Sequence, residues 1–333
     1  MDIRNTRELK QTAFRRLEQA QEGRKILLIY ALITVVSSAL VTLITYCLDL
    51  QIDQYGGLSH MATRTMLSTV SAMLPLVLSL ALMCLELGFM AAMLRISRGM
   101  YTSAQTLRAG LPRFWAMIRC SLLLMLRYML AGMAACYLAM AIFTITPLSN
   151  GTVELLMPLM EETADLSKGI ALDEALVWQL MEAMIPFFVL FAVLYLVLIV
   201  PIAYRYRMAN YVLLHDPAAG AARAMIESKK MMRGNCIALF KLDLSMWWYY
   251  AASFLAAVLC YGDGLLNLLG ISLPVSGDAA YFLFYGLFLV ATFGINFCLR
   301  GKVETAYAMA FDSLRPKEEE TSGGVVLGNI FQM

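Results

Sequence analysis

The stretch that decides the fold runs from Tyr204 to Trp248 and reads YRYRMANYVLLHDPAAGAARAMIESKKMMRGNCIALFKLDLSMWW. It leaves an apolar run at Arg205 and Arg207, continues as a short basic segment, and enters a second apolar run after Gly234. Apolar runs of about 20 residues cross a bilayer, whereas charged residues are costly in its hydrocarbon. The pattern therefore predicts a basic elbow helix that joins two membrane spans on the cytosolic side.

The composition of the whole chain is that of a membrane protein. Of its 333 residues, 60% are hydrophobic and 15% are charged, and the mean hydropathy is +0.69, which is more apolar than soluble domains. We predict an all-α, polytopic helix bundle with six transmembrane helices in one membrane domain, residues 1–315, and a disordered tail at 316–333. The six apolar runs lie near Ile26–Leu48, Leu67–Leu94, Trp115–Phe143, Ala183–Tyr204, Ile237–Cys260 and Ala279–Leu299. The first of them has no cleavage site behind it and is expected to be retained.

The distribution of basic residues predicts the orientation. Of the 26 Lys and Arg residues, 22 fall in four segments that alternate along the chain: residues 1–25, 95–113, 205–241 and the tail from Arg300. The three opposite loops hold Arg64 and Lys168 alone. By the positive-inside rule, both termini and the elbows are predicted to lie in the cytosol. This charge pattern indicates contact with anionic lipids and gives no reason to expect nucleic acid.

The elbow also carries a family resemblance. Its segments YRYRMANYVL, DP, AMIESKKMMRGN and LFKLDLS, together with Leu87-Gly88 and Ser97-Arg98-Gly99, resemble the domain-of-unknown-function 975 family of bacterial membrane proteins. The resemblance implies an integral membrane protein without an established activity. The residues that carry it are Tyr204, Asn210, Tyr211, Asp216, Pro217, Ser228, Gly234, Leu244 and Ser245. Asp216 is expected to cap a helix, with Pro217 in the first turn.

Two further segments are interpreted as amphipathic helices. Before the first span, Asn5 and Glu8 resemble a capping box, and Leu9, Ala13 and Leu17 recur at helical spacing among basic residues. This helix is expected to lie on the inner membrane surface, the alternative being a solvated arm. The outer segment 147–182 contains seven acidic residues and one Lys. Two amphipathic helices with a wet acidic side are preferred there over a carboxylate or Ca²⁺ site.

Two groups of charged residues are candidate sites. The first would bind anionic lipid headgroups from the elbow helix and comprises Arg223, Lys229, Lys230 and Arg233. The second lies inside the membrane and comprises Glu86, Arg127 and Asp243, each about 12 to 14 Å from the cytosolic end of its span. Since charges at that depth normally pair, Arg127 is predicted to contact one or both acids, either as a static brace or as part of a gate or solute site.

The chain also repeats one unit of basic helix, glycine, rising span, outer loop and descending span. The units cover residues 5–94, 103–205 and 217–300, and their glycines are Gly23, Gly110 and Gly234. A glycine suits the turn between an in-plane helix and a span because it adopts left-handed conformations. Convergence on a common elbow explains the pattern equally well.

The sequence predicts no enzyme, because no catalytic motif is present. His60 and His215 are isolated, so no metal and no cofactor is expected. The leading hypothesis is an accessory or scaffold protein that contacts anionic lipids and a membrane protein partner. The alternative is a transporter or channel for a small or lipidic solute, in which Pro75, Pro186 and Pro201 would mark helix breaks around a cavity.

Overall fold

The computed structural model describes residue 3 and residues 5–54, 61–155, 174–216, 218–268 and 277–315. Within these ranges the chain is helical and has no strand, which confirms the all-α prediction. The tail at 316–333 and half of the acidic outer segment, residues 156–173, lie outside them. The helices are α1 (Thr6–Gln19), α2 (Gly23–Gln54), α3 (Met61–Ser97), α4 (Phe114–Ile145), α5 (Glu174–Tyr206), α6 (Ala209–His215), α7 (Ala221–Met231), α8 (Cys236–Ser245), α9 (Trp247–Cys260), α10 (Gly262–Leu268), α11 (Gly277–Ile295) and α12 (Gly301–Leu314). Short 3-10 helices cover Ala104–Arg113 and Pro147–Ser149, and a π-helical turn covers Asn296–Arg300.

The contacts divide the chain into two compact units. Unit 1 combines Met1–Met117 with Met208–Met333, and unit 2 is Ile118–Arg207. Unit 2 is therefore an insertion in sequence between the first three helices and the elbow region.

Five helical stretches of the described residues are long and apolar enough to cross a membrane. They are Gly23–Ile52, Met61–Ser97, Ala104–Ile145, Trp178–His215 and Asp278–Leu314. The remaining apolar run was predicted as one continuous span, but it consists of α8 and α9, which meet at a bend of 65°. The total is six spans if this bent pair counts as one.

The break between α8 and α9 lies at Met246, and no proline causes it. The Ser245 hydroxyl donates to the Leu242 carbonyl at 2.7 Å, and the amides of Met246 and Tyr249 bond to carbonyls three positions back. These tight turns replace the i to i−4 bonds of an α-helix. The prolines that suggested breaks lie inside continuous helices instead, Pro75 in α3 and both Pro186 and Pro201 in α5.

Helix α12 forms the centre of unit 1. It is buried at nine of its 14 positions, and it packs against α1 and α3. The Thr305 hydroxyl donates back to the Gly301 carbonyl at 2.7 Å and lies 3.4 Å from the Met93 sulfur of α3. The last apolar run was predicted to end at Leu299, yet the helix continues from there into the protein core.

Two glycines let the end of α3 and the 3-10 helix Ala104–Arg113 approach each other closely. A Cβ added at Gly88 would lie 1.9 Å from the Leu107 carbonyl oxygen, and one added at Gly110 would lie 2.1 Å from the Cys84 carbonyl oxygen. No side chain fits at either position without moving backbone. This contact explains the glycine of the Leu87-Gly88 pair.

Helix α1 begins as predicted but lies elsewhere than expected. The Asn5 side chain accepts from the Glu8 amide and donates to the Glu8 carboxylate, at 3.4 and 2.7 Å. The apolar stripe of Leu9, Ala13 and Leu17 is buried, and α1 packs against α12, α3 and α2. The prediction that this stripe rests on the membrane surface is therefore wrong, because other helices of unit 1 cover it.

Unit 2 contains a pair of long helices, α5 and the part of α4 beyond Met117. Phe143 of α4 meets Phe187 of α5 with ring centroids 5.7 Å apart, and a Cβ added at Gly132 would lie 3.4 Å from the ring of Tyr195. The buried residues of α4 between these contacts are small: Ala131, Ala135 and Ala139. Small residues at this spacing let membrane helices pack closely.

The three glycines of the proposed repeat differ in conformation. Gly234 has a φ of +83° and provides the left-handed turn that the repeat requires. Gly23 and Gly110 do not have positive φ, and Gly110 is instead required for close packing. The repeat over 5–94, 103–205 and 217–300 stays a prediction.

Candidate functional site

The elbow region of unit 1 consists of α6, α7 and the turn at Gly234. Helix α7 buries one face through Ala221, Ala224, Met225 and Ser228, and it packs against α6. Its N-cap is Gly220. The prediction that Asp216 caps this helix is wrong: Asp216 ends α6, and its carboxylate accepts from the Ala218 amide at 2.9 Å. Pro217 lies outside the described residues.

The four predicted headgroup ligands all lie on the exposed side of the elbow. Arg223 forms ion pairs with Glu227 at 2.7 Å and with Asp216 at 3.8 Å, so part of its charge is already compensated. The other three basic residues form no ion pair with any residue that the structure describes: Lys229, Lys230 and Arg233. Their charge is available to an external anion.

The apolar residues beside these cations are exposed as well. Ile226 of α7 is 58% exposed in the middle of the basic side. Beyond Gly234, the exposed large side chains of α8 and the start of α9 recur at helical spacing. They are Ile237, Phe240, Leu244 and Trp247. A basic surface thus continues directly into an apolar stripe.

The remaining motif residues have mostly structural contacts. The Tyr211 hydroxyl donates to the Glu304 carboxylate of α12 at 2.8 Å, and its ring stacks on Phe311. Ser228 is fully buried, while Asn210 and Tyr204 are half-buried. Tyr211 therefore holds α6 onto the core of unit 1, and Ser228 lies on the buried face of α7.

The break between α8 and α9 is held by a side chain of α12. The hydroxyl of Tyr307 donates to the Asp243 carboxylate of α8 and lies 2.6 Å from the Tyr250 hydroxyl of α9. Tyr307 is almost fully buried. One side chain therefore contacts both arms of the bent pair. Asp243, which was predicted to pair with Arg127, has this hydroxyl as a partner.

A second polar contact reaches the break from α1. The Lys10 ammonium donates to the Ser245 carbonyl at 3.0 Å. Ser245 is the last residue of α8, and the carbonyls of a last helical turn have no donor from their own helix. Lys10 thus supplies a positive charge where the helix dipole is negative.

Glu86 also has a partner that the sequence did not predict. Arg300, at the end of the π-helical turn, donates to its carboxylate at 2.6 Å, and the Arg300 guanidinium lies 5.1 Å from the centre of the Tyr30 ring. The Arg300 Nε is buried without a hydrogen bond to the described residues. Glu86 itself is 44% exposed. Side chains of α2, α3 and the π-helical turn thus meet at one ion pair of unit 1.

Arg127 lies in unit 2, where its guanidinium stacks over the Tyr206 ring at 4.2 Å. The two acids predicted to pair with it belong to unit 1. The contact of Arg127 with Glu86 or Asp243 therefore stays a prediction.

The sequence interpretation missed Lys10, Arg300, Glu304 and Tyr307. Arg300 was counted with the cytosolic tail because the apolar run ends one residue before it. Lys10 was grouped with the exposed basic residues of α1. The only signal for Tyr307 was a stretch of small residues, Ala306, Ala308 and Ala310, that lets neighbouring helices approach.

Within the described ranges, no group of three His, Cys, Asp or Glu side chains is placed to hold a metal ion. His215, one of the two isolated histidines, lies against the Phe311 ring at 6.2 Å.

Comparison with known proteins gives a family but no characterised relative. Neither a curated protein nor a solved structure matches the chain. The family model described as "Protein of unknown function (DUF975)" matches residues 1–315. This match covers every helix described above, and the chain belongs to the DUF975 family.

Proposed function

We propose that this protein is an accessory or scaffold protein of the bacterial cytoplasmic membrane that binds anionic lipid headgroups and contacts a membrane protein partner. It is proposed to be neither an enzyme nor a nucleic-acid-binding protein. The observation that carries the proposal is the exposed basic side of α7, which continues into an exposed apolar stripe on α8.

The proposed topology has six spans, with the bent pair α8 and α9 counted as one, and both termini in the cytosol. The support is the charge distribution, in which 22 of the 26 Lys and Arg residues fall on one side of such an arrangement. With this orientation α7 lies at the inner leaflet, where anionic lipids give the bacterial membrane a negative surface.

The physical argument rests on charge and hydrophobic contact together. Each basic residue near an anionic leaflet contributes about 1 kcal/mol of attraction. Three cations of the elbow have no ion pair with the residues that the structure describes, and Ile226 among them is proposed to enter the acyl boundary. Interfacial helices bind through this combination of a basic side and a buried apolar side.

The test measures phosphatidylglycerol bound to the purified protein by native mass spectrometry, against phosphatidylcholine. The triple variant Lys229→Gln, Lys230→Gln, Arg233→Gln should lose most of the preference for phosphatidylglycerol. Glu227→Gln should increase it, because it removes the shorter of the two ion pairs of Arg223. The matched control removes three exposed charges from α1: Arg7→Gln, Arg15→Gln and Arg16→Gln. If the two triple variants lower the preference for phosphatidylglycerol equally, or if neither lowers it, a site on the elbow is rejected.

The alternative function, transport of a small or lipidic solute, is favoured by the broken span. Transporters often bind solutes where helices are interrupted near the middle of the membrane, and the break here brings Asp243 and the Ser245 carbonyl close to other polar groups. Ser245→Cys tests this alternative. A transporter should let an impermeant thiol reagent reach this position from both sides of the membrane, whereas a scaffold should protect it.

A further inference from the structure

The strongest feature outside the proposed headgroup site is the position of Lys10. The other basic residues of α1 are exposed, whereas Lys10 is half-buried and donates to the Ser245 carbonyl at 3.0 Å. This bond joins two parts of the chain that are 235 residues apart. The exposed residues are Arg7, Arg15 and Arg16.

The contact has a specific consequence at the break. An uninterrupted helix would use the Ser245 carbonyl in its own bonding pattern, but the bend leaves that carbonyl without a continuing helix to bond. A hydrogen bond from an ammonium to a carbonyl is stronger than one between neutral groups. Lys10 therefore stabilises the bent arrangement over a straight one, because its partner is available only when the helix ends.

Helix α1 also docks onto α12, the helix that carries Tyr307. The stripe of Leu9, Ala13 and Leu17 packs onto unit 1, in which α1 contacts α12. The Lys302 ammonium of α12 lies 5.5 Å from the Phe14 ring of α1. Helix α12 also carries Tyr307, which contacts both α8 and α9. Helices α1 and α12 therefore pack together with the bent pair.

We propose that α1 is a latch for the broken span: with α1 docked, Lys10 holds α8 and α9 bent, and when α1 leaves, the pair straightens. A latch of this kind links the inner surface of the protein to the shape of a membrane span. It does not depend on lipid binding by α7, and it applies to a scaffold and a transporter alike.

The bend can be measured directly. Ile237 and Tyr261 are both exposed and lie at opposite ends of the pair. A straight helix would separate their Cα atoms by about 36 Å, and a bend of 65° shortens this by about 5 Å. Spin labels on Ile237→Cys and Tyr261→Cys, in a protein whose native cysteines are replaced by alanine, report this distance by double electron–electron resonance.

Lys10→Met should lengthen the distance by about 5 Å or add a population at the longer value, and Lys10→Arg should keep the original distance. Arg15→Met is the matched control on the same helix and should change nothing. Leu9→Ala, which weakens the docking of α1 without altering the amine, should add the longer population too. If Lys10→Met does not fold, Leu9→Ala is used in its place. An unchanged distance in Lys10→Met, or in Leu9→Ala when that variant is used, would overturn the latch.

Discussion

Tyr307 and Asp243 connect α12, which is buried at nine of its 14 positions, to the bent pair α8 and α9. The hydroxyl of Tyr307 donates to the Asp243 carboxylate, three residues before the break, and also lies 2.6 Å from Tyr250 on the far side of it. The side chain of Tyr307 therefore contacts both arms of the bend, beside the Lys10 bond to the Ser245 carbonyl and the local hydrogen bonds of Ser245 and Met246.

We expect Tyr307→Phe to destabilise the protein by about 1.5 to 3 kcal/mol, because a hydrogen bond to a charged group contributes that much. The ring and its packing remain in this variant. Tyr250→Phe removes only the contact between the two hydroxyls and should cost about 1 kcal/mol. Unfolding in mixed detergent micelles measures both. A larger loss in Tyr250→Phe than in Tyr307→Phe would show that the brace to Asp243 is unimportant.

The packing of α3 on the 3-10 helix gives a second prediction. Gly88→Ala and Gly110→Ala each place a Cβ within 2.1 Å of a backbone oxygen, so each should cost about 1 to 3 kcal/mol or more through overpacking. Gly286→Ala is the control, since it meets no atom within 4 Å and lies in α11. That substitution should be neutral or stabilise by up to about 1 kcal/mol. Thermal unfolding of the three variants tests the contrast.

The ion pair of Glu86 and Arg300 gives a third prediction. Reversing the charge of either partner places two like charges at ion-pair distance, so Arg300→Glu and Glu86→Arg should each destabilise the protein. The loss should be smaller than the about 3 to 5 kcal/mol of a fully buried pair, because Glu86 is 44% exposed. Combining them restores opposite charges and should recover part of the loss. If the double variant loses as much stability as the losses of the two single variants added together, the two groups do not interact.

Much of this fold follows from local sequence signals. Hydrophobic run length gave the long helices, and the basic segment ending at Gly234 marked the elbow, because glycine tolerates the φ of +83° found there. The capping pattern of Asn5 and Glu8 marked the start of α1.

The errors concern contacts between distant parts of the chain. The break at Met246 has no proline signal, and the side chains that brace it come from α1 and α12. An apolar stripe on α1 fits a lipid surface or a protein core equally well, and only the position of α12 distinguishes them. The pairing of Glu86 depended on Arg300, which lies one residue beyond the predicted end of the last apolar run at Leu299 and was not considered as a partner.

The proposed topology makes a fourth prediction. Thr63 is exposed at the start of α3, which should face outward, and Gln105 is exposed in the 3-10 helix on the opposite side. In intact spheroplasts, an impermeant thiol reagent should label Thr63→Cys and leave Gln105→Cys unlabelled until the membrane is opened. The reverse pattern would contradict an arrangement with both termini in the cytosol.

The last prediction concerns Arg127, which stacks on Tyr206 in unit 2. A cation at its predicted depth costs at least about 2.5 kcal/mol unless it is paired, and such charges normally face the interior of a bundle. The contact of Arg127 with Glu86 or Asp243 stays a prediction, which rests on the shared depth of the three charges in the sequence.

The test is a set of double-variant cycles. Arg127→Glu should destabilise the fold, and adding Glu86→Arg or Asp243→Arg should restore part of the loss, with a coupling above about 0.5 kcal/mol. Because Glu86 already binds Arg300 at 2.6 Å and Asp243 accepts from Tyr307, rescue of Arg127→Glu by Glu86→Arg should be smaller than rescue of Arg300→Glu. Arg119→Glu, an exposed charge two helical turns away on α4, is the control and should show no coupling to either acid. If the coupling of Arg127→Glu to the variants of Glu86 and Asp243 is no larger than the coupling of Arg119→Glu to them, Arg127 does not belong to the predicted intramembrane charge cluster.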